Sequence, residues 1–293
     1  MIKENIVSLV DGFTVELNPK VRHKLKSIPL DKKNNVYITY LPDATENDIL
    51  ETVDFVSKQE LTPITHLPAR TMRNLDHVSD FLKELRNRTD SKKILVIGGG
   101  GNQNGSVSSS LEILESGLLK DNDFEEIGIA GHPEGSPDID QNTVNEFLNK
   151  KYKLSKDKDL NLELVTQFFF NAEPFIKWCK FLDNSNIKLP VRVGFPGPAS
   201  FKTLLNFGIM SGVGNSLSFL KKNSSKVTDL LTKTSNDEMF IELANFSKEQ
   251  SSFKNFHCFP FGGFEKTCHW LNALQNGDFS MENDKIVLHN KIF

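Results

Sequence analysis

The chain has 293 residues, an apolar fraction of 38% and 23 Phe against 3 Tyr and 2 Trp, which is enough side-chain volume for one large core. Its 35 basic and 38 acidic residues give a formal charge of -3 with no basic stripe interleaved with aromatics, which argues against a nucleic-acid surface. Cys179, Cys258 and Cys268 form no C-x-x-C pair, so no disulfide framework or zinc site is expected, and no apolar run approaches the roughly 18 residues of a membrane span. Met1 to Phe13 is too short and too charged for a signal peptide, so a cytoplasmic protein is expected.

In chain order, β-rich runs alternate with helical patterns. Strands are expected over Phe13 to Leu17, Val36 to Leu41, Pro63 to Leu67, Lys93 to Gly98, Glu126 to Ala130, Leu162 to Phe169, Val191 to Phe195 and Asn255 to Phe259. Between and after them, helices are expected over Glu46 to Lys58, Met72 to Arg88, Ser108 to Leu118, Asn142 to Tyr152, Pro174 to Leu182, Ala199 to Phe207 and Glu265 to Gln275. Ser216 to Ser251 reads as extra helix before the eighth strand. Strand-helix alternation implies a parallel sheet, and eight units close it, so the expected fold is an α/β (β/α)8 TIM barrel forming a single domain over residues 1–293.

In such barrels the loops after the strands carry the active site. The residues at those ends are Glu16, Thr39, His66, the run Gly98-Gly99-Gly100-Gly101-Asn102, the run Gly131-His132-Pro133-Glu134-Gly135, Gln167, Gly194 with Pro196, and Pro260 to Gly263. A structural role would explain any one of them, such as Gln167 satisfying buried backbone groups. Their convergence on one end favours function.

The glycine run satisfies neither G-x-G-x-x-G nor the P-loop pattern. It is either a flexible surface turn or a backbone that a flat ring or diphosphate approaches with no Cβ in the way. Ser106 to Ser110 then open a helix whose amides favour an anion. There is no G-x-S-x-G and no H-E-x-x-H, and the His257-Cys258 and Cys268-His269 pairs lack metal-ligand spacing, so no metal is expected.

Thr14-Val15-Glu16-Leu17-Asn18-Pro19, Ile64-Thr65-His66-Leu67-Pro68-Ala69-Arg70, Ile129 to Gly135, Val165 to Phe170, Gly194 to Pro198 and Phe256 to Phe259, in that order, resemble the successive motifs of methylenetetrahydrofolate reductases. The resemblance implies an FAD-containing barrel that exchanges a hydride between NADH or NADPH and the methylene/methyl-tetrahydrofolate pair. It implies that Glu16 is the general acid toward folate N10, with a raised pKa in a partly apolar pocket. Gln167 would hydrogen-bond the pterin, and Thr39 and Phe195 would also meet substrate. FAD would be held by Thr39, His66, Gly98, Gly99, Gly100, Asn102, Ser108, Ser109, His132, Ser136 and one of Lys150 or Lys151.

Some positions depart from the family pattern. Gly100 stands where the family usually has an aspartate beside the flavin, His132 where it has a tyrosine, Ser136 where it has a histidine, and Gly263 where an arginine often meets folate. Loss of the aspartate's charge favours the methyl-oxidising direction. Two alternatives stay open: a flavin-free folate-handling barrel such as a methyl transferase, and a non-catalytic folate-binding or complex-forming subunit. No regulatory domain is expected beyond Phe293, and a homo-oligomer is compatible with the sequence.

Overall fold

The computed structural model describes residues 2–100, 103–137, 139–211, 213, 237–250 and 252–290. Eight parallel strands form a closed barrel in chain order: β1 (Thr14–Leu17), β2 (Val36–Ile38), β3 (Pro63–Pro68), β4 (Lys93–Ile97), β5 (Glu126–Gly131), β6 (Asn161–Thr166), β7 (Val191–Pro196) and β8 (Phe253–Phe259). Strand β8 pairs back onto β1 through Thr14 with His257 and Val15 with Cys258, which leaves no open edge in the barrel. The expected (β/α)8 architecture is the observed one.

Around the barrel run α1 (Ile2–Val10), α2 (Glu46–Ser57), α3 (Leu75–Arg88), α4 (Ser110–Ser116), α5 (Leu118–Asp121), α6 (Gln141–Asp157), α7 (Ala172–Asn184), α8 (Phe201–Met210), α9 (Asp237–Phe246) and α10 (Phe264–Gln275). Their starts are written in the sequence. Thr45 and Asp48 close a capping box on α2, and Asn74, Asp140 and Asn171 accept first-turn amides of α3, α6 and α7. Gly117, at φ +83°, divides the helix expected over Ser108 to Leu118 into α4 and α5. Of the extra helix expected before β8, α9 is the described part, and residues 214–236 lie outside the described residues. Helix α1, a 3-10 stretch at Pro19–Ser27 and a closing hairpin of β9 (Phe279–Glu282) and β10 (Lys285–Leu288) have no counterpart in the sequence reading.

Strand alternation sorts the side chains into two sets. Val15, Leu17, Val36, Ile38, Leu67, Ile94, Val96, Ile127, Ile129, Leu162, Leu164, Val191 and Val193 join the helices in the main core. Tyr37, Ile64, Leu95 and Val165 form a separate cluster inside the barrel. Gly194 lets β7 close against β6: a Cβ there would sit 2.4 Å from the carbonyl oxygens of Thr166 and Gln167, while its own N–H donates to Thr166 Oγ1 at 2.8 Å.

Below that apolar layer, where the strands begin, lies a charged one. Glu163 accepts hydrogen bonds from Arg192 Nε at 2.6 Å, Lys254 Nζ at 2.8 Å and the Tyr37 hydroxyl at 3.2 Å. Arg192 also donates to Asn255 Oδ1 at 2.8 Å, and Asn255 donates in turn to the Gly12 carbonyl. Every buried polar group here has a partner, as a buried ion pair requires.

Candidate functional site

The inward positions at the other end of the strands carry Glu16, His66 and His257, with Thr39 following β2 and Gln167 following β6. Glu16 Oε1 lies 3.6 Å from His66 Nε2 and 3.5 Å from His257 Nε2. Both imidazole nitrogens are buried without a hydrogen-bond partner, and so is Gln167 Nε2. Buried polar atoms are normally paired, so three orphans in this set of inward residues mark a place built for polar groups that arrive from outside.

Burial pushes the His66 imidazole down to about 4, with the neighbouring Glu16 carboxylate acting the other way and His257 adding to the fall. His66 is therefore neutral at physiological pH. Tyr37 supports both rings from below, edge-on, with centroids 4.5 Å from His257 and 6.1 Å from His66. The Thr39 hydroxyl donates to the Leu17 carbonyl at 3.3 Å, tying β2 to β1 beside Glu16. Gln167 falls just beyond β6 rather than inside the strand expected over Leu162 to Phe169, and its backbone N–H donates to Gly131 O at 3.0 Å.

The loop after β4 is pinned to the loop after β3 by Arg70 N–H to Gly98 O at 3.0 Å. Among the described residues, a Cβ at Gly98 or Gly100 would meet nothing within 4 Å, whereas Gly99 lies against Pro68. Open space therefore faces the first and third glycines. Asn102 lies outside the described residues. At the start of α4, Ser109 accepts from Glu112 N–H, and Ser108 donates through both its amide and its hydroxyl to the Glu112 carboxylate. The Glu112 carboxylate thus lies at that helix start.

After β5, His132 is pushed down to about 4 by burial, with Lys151 lowering it further. Lys151 of α6 is pushed down to about 8 by burial alone and has no ion pair among the described residues. Lys150, by contrast, is half-exposed and pairs with Glu146 at 2.6 Å. Of the two lysines, Lys151 is the desolvated one. Gly135 N–H closes a turn onto the His132 carbonyl at 3.1 Å, and Ser136 follows that turn, half-buried.

Phe195 is not brought to this ring. It points out of the barrel, stacked on Trp270 at 5.7 Å between centroids and packed on Phe240 and Phe256, because its strand position has outward parity. Aromatic surface near the ring comes instead from Phe259, edge-on to His257 at 4.9 Å, and from Phe168 and Phe261, which pack on Phe259 at 5.4 and 5.7 Å. His257 is the site residue that sequence reasoning missed; the signal was the inward series Asn255, His257, Phe259, polar at two of three positions. A separate cavity of about 370 Å³, lined by residues including Asp31, His269 and Asn272, lies on the side where the strands begin. Among the described residues no group of His, Cys, Asp or Glu is arranged to hold a metal ion, and no helix is long and apolar enough to cross a membrane.

A family model described as methylenetetrahydrofolate reductase matches residues 23–247. The chain belongs to the methylenetetrahydrofolate reductase family. The match begins after Glu16 and ends before β8, so the meeting of Glu16 with His257 is seen in the structure alone. Among solved structures, an uncharacterized protein from Clostridium thermocellum that binds two copies of 5-methyl-5,6,7,8-tetrahydrofolic acid superposes with a TM-score of 0.56 at 14% identity, covering 90% of this chain and 93% of that one. An N-acetylneuraminate lyase from Fusobacterium nucleatum gives a TM-score of 0.41 at 10% identity, covering 90% of this chain and 97% of that one. At 14% identity the likeness to the Clostridium thermocellum protein is one of fold.

Proposed function

We propose that this family member is a flavin-dependent oxidoreductase that interconverts 5,10-methylenetetrahydrofolate and 5-methyltetrahydrofolate, with NADH or NADPH as co-substrate. The observation that carries the reading is the inward-facing Glu16 carboxyl on the same rim as the orphaned Gln167 amide, an acid and a hydrogen-bonding edge for a polar heterocycle. The folate-binding solved structure of like fold supports the substrate class. Glu16 would give its proton to folate N10 as the five-membered ring opens, and take it back in the reverse direction. Gln167 would pair with the pterin and fix its orientation.

The residues present fit FAD. Open space at Gly98 and Gly100 leaves backbone free for a flat ring, and Lys151 beside His132 offers an unneutralised cation to a diphosphate. When bound, FAD supplies the hydride carrier that lets one site serve nicotinamide and folate in turn. Reconstitution tests this directly: purified protein mixed with FAD and desalted should retain a flavin spectrum. Colourless protein that still binds folate would sink the flavin reading. It would favour the alternatives, a flavin-free methyl transferase or the folate-binding subunit that Gly100 and Gly263 suggest. Gly263, at φ +113°, holds a backbone conformation that an arginine rarely adopts.

Three expected results follow from these placements. Gln167→Leu should weaken folate binding by roughly 1 to 3 kcal/mol, the cost of an unpaired buried partner, and spare FAD content. Loss of flavin or of the fold in that variant would assign Gln167 to structure. Lys151→Met should weaken FAD binding about tenfold or more, the scale of one charge-assisted hydrogen bond, while Lys150→Met leaves it within about twofold. Equal effects of the two in a flavin titration would contradict the choice of Lys151.

The third concerns direction. Gly100→Asp places a carboxylate in open space, where it would oppose negative charge on the reduced flavin. Its midpoint potential should fall, and preference should move from methyl oxidation toward methylene reduction. A potential that stays put or rises would remove Gly100 as the cause of any bias.

A further inference from the structure

We infer that Glu16, His66 and His257 form one unit that holds a single shared proton, with Thr14 orienting His257 so that Glu16 is recharged from the imidazole beside it. The use of that proton on folate rests on the function proposed above; the sharing itself rests on geometry alone. Thr14 Oγ1 lies 3.4 Å from the Phe256 carbonyl, which has no hydrogen to offer and so takes the hydroxyl's only proton. The threonine oxygen is left as acceptor for His257 Nδ1, 2.9 Å away. The hydrogen of neutral His257 is thereby assigned to Nδ1, and its Nε2 faces Glu16 as a bare lone pair.

His66 Nε2 faces the same carboxyl oxygen. A carboxylate oxygen facing the bare Nε2 of His257 with no proton between them would be an unsatisfied buried arrangement. One proton resolves it, either as a Glu16 O–H donated to an Nε2 or as an imidazolium N–H donated to Oε1. On delivery to substrate, the Glu16 O–H bond breaks as the N10–H bond forms and the unit is left without its proton; solvent then protonates an imidazole, and that N–H bond breaks as Glu16 O–H re-forms. In the reverse direction each transfer reverses, and no other reactant is needed.

The other ionisable groups around the unit stay out of the exchange. On β2, Tyr37 gives its hydroxyl to Glu163 and is pushed up by burial, so it remains a neutral phenol. On β8, burial holds the Cys258 thiol well above its ordinary value, with Cys268 and Glu16 adding to the rise. Beneath Tyr37, Glu163 of β6, Arg192 of β7 and Lys254 of β8 are bound to one another. His66, kept neutral by burial, faces Glu16 from the far side.

The test is a pH titration of histidine ring nitrogens by 15N NMR on the protein without folate or flavin, in wild type, Glu16→Gln and Thr14→Val. Removing the carboxylate should lower the imidazole midpoint by about one pH unit or more, and Thr14→Val, which keeps His257, should shift it by less. Midpoints identical in wild type and Glu16→Gln would overturn the inference. In folded His257→Gln, the pH profile of the folate half-reaction should move by about one unit, while flavin reduction by nicotinamide keeps its own profile. An unmoved folate profile would deny His257 its positioning role. Coupled midpoints in a protein inert toward folate would uphold the shared proton and overturn only its assigned use.

Discussion

Glu16→Gln should slow the folate half-reaction by about 10²-fold or more, the upper scale of general acid catalysis, and leave reduction by the nicotinamide nucleotide within about twofold. Glutamine keeps the shape of the side chain and most of its contacts, so the loss isolates the proton. The flavin half-reaction needs no proton at folate N10 and should not notice. Stopped-flow traces of the two half-reactions separate the outcomes, since equal slowing of both would mean that Glu16 organises the whole site rather than serving as its acid.

Arg192→Met should cost about 3 to 5 kcal/mol of stability, because it leaves the Glu163 carboxylate buried with its shortest hydrogen bond gone. The pH dependence identifies the cause. Burial pushes the Glu163 carboxyl up, but the charges and hydrogen bonds of Arg192 and Lys254 outweigh it and hold it below the usual carboxylate range. A depressed acid contributes stability above its unfolded value of about 4.3 and loses it as pH falls through the folded value. The gap between wild type and Arg192→Met should therefore be widest near neutrality and shrink below about pH 4.3. Denaturant melts across that range would contradict the account if the gap were constant, or smaller than about 1 kcal/mol throughout.

Both experiments probe residues on inward strand positions, and there the sequence was most legible. Apolar runs such as Lys93 to Gly98 and Val191 to Phe195 announce parallel strands because both faces are buried, and eight of them leave little choice but closure. Polar residues that interrupt those runs, Glu16, His66 and Gln167, proved to sit at one rim. The same rule applied to β8 would have singled out His257.

A phenylalanine suits either face of a strand, and only strand parity, which a motif does not carry, sends Phe195 to Trp270. Glu112, three residues beyond Ser109 and four beyond Ser108, holds both serines in a local cap that their sequence pattern alone does not reveal. Lys150 and Lys151 were indistinguishable by sequence. Their separation depends on which one the turn of α6 places beside Glu146 and which one it desolvates near His132. Irregular elements, such as α1 and the closing hairpin, carried too weak a period to be read.

In the proposed function this barrel moves a hydride between folate and flavin, with Glu16 handling the proton. Anaerobic mixing of FAD-reconstituted protein with 5-methyltetrahydrofolate tests it most directly, by following the oxidised flavin absorbance and assaying for 5,10-methylenetetrahydrofolate. Bleaching of the flavin with matching formation of the methylene product, fast in wild type and about 10²-fold slower in Glu16→Gln, is the predicted result. Flavin that remains oxidised in the presence of bound folate would contradict it.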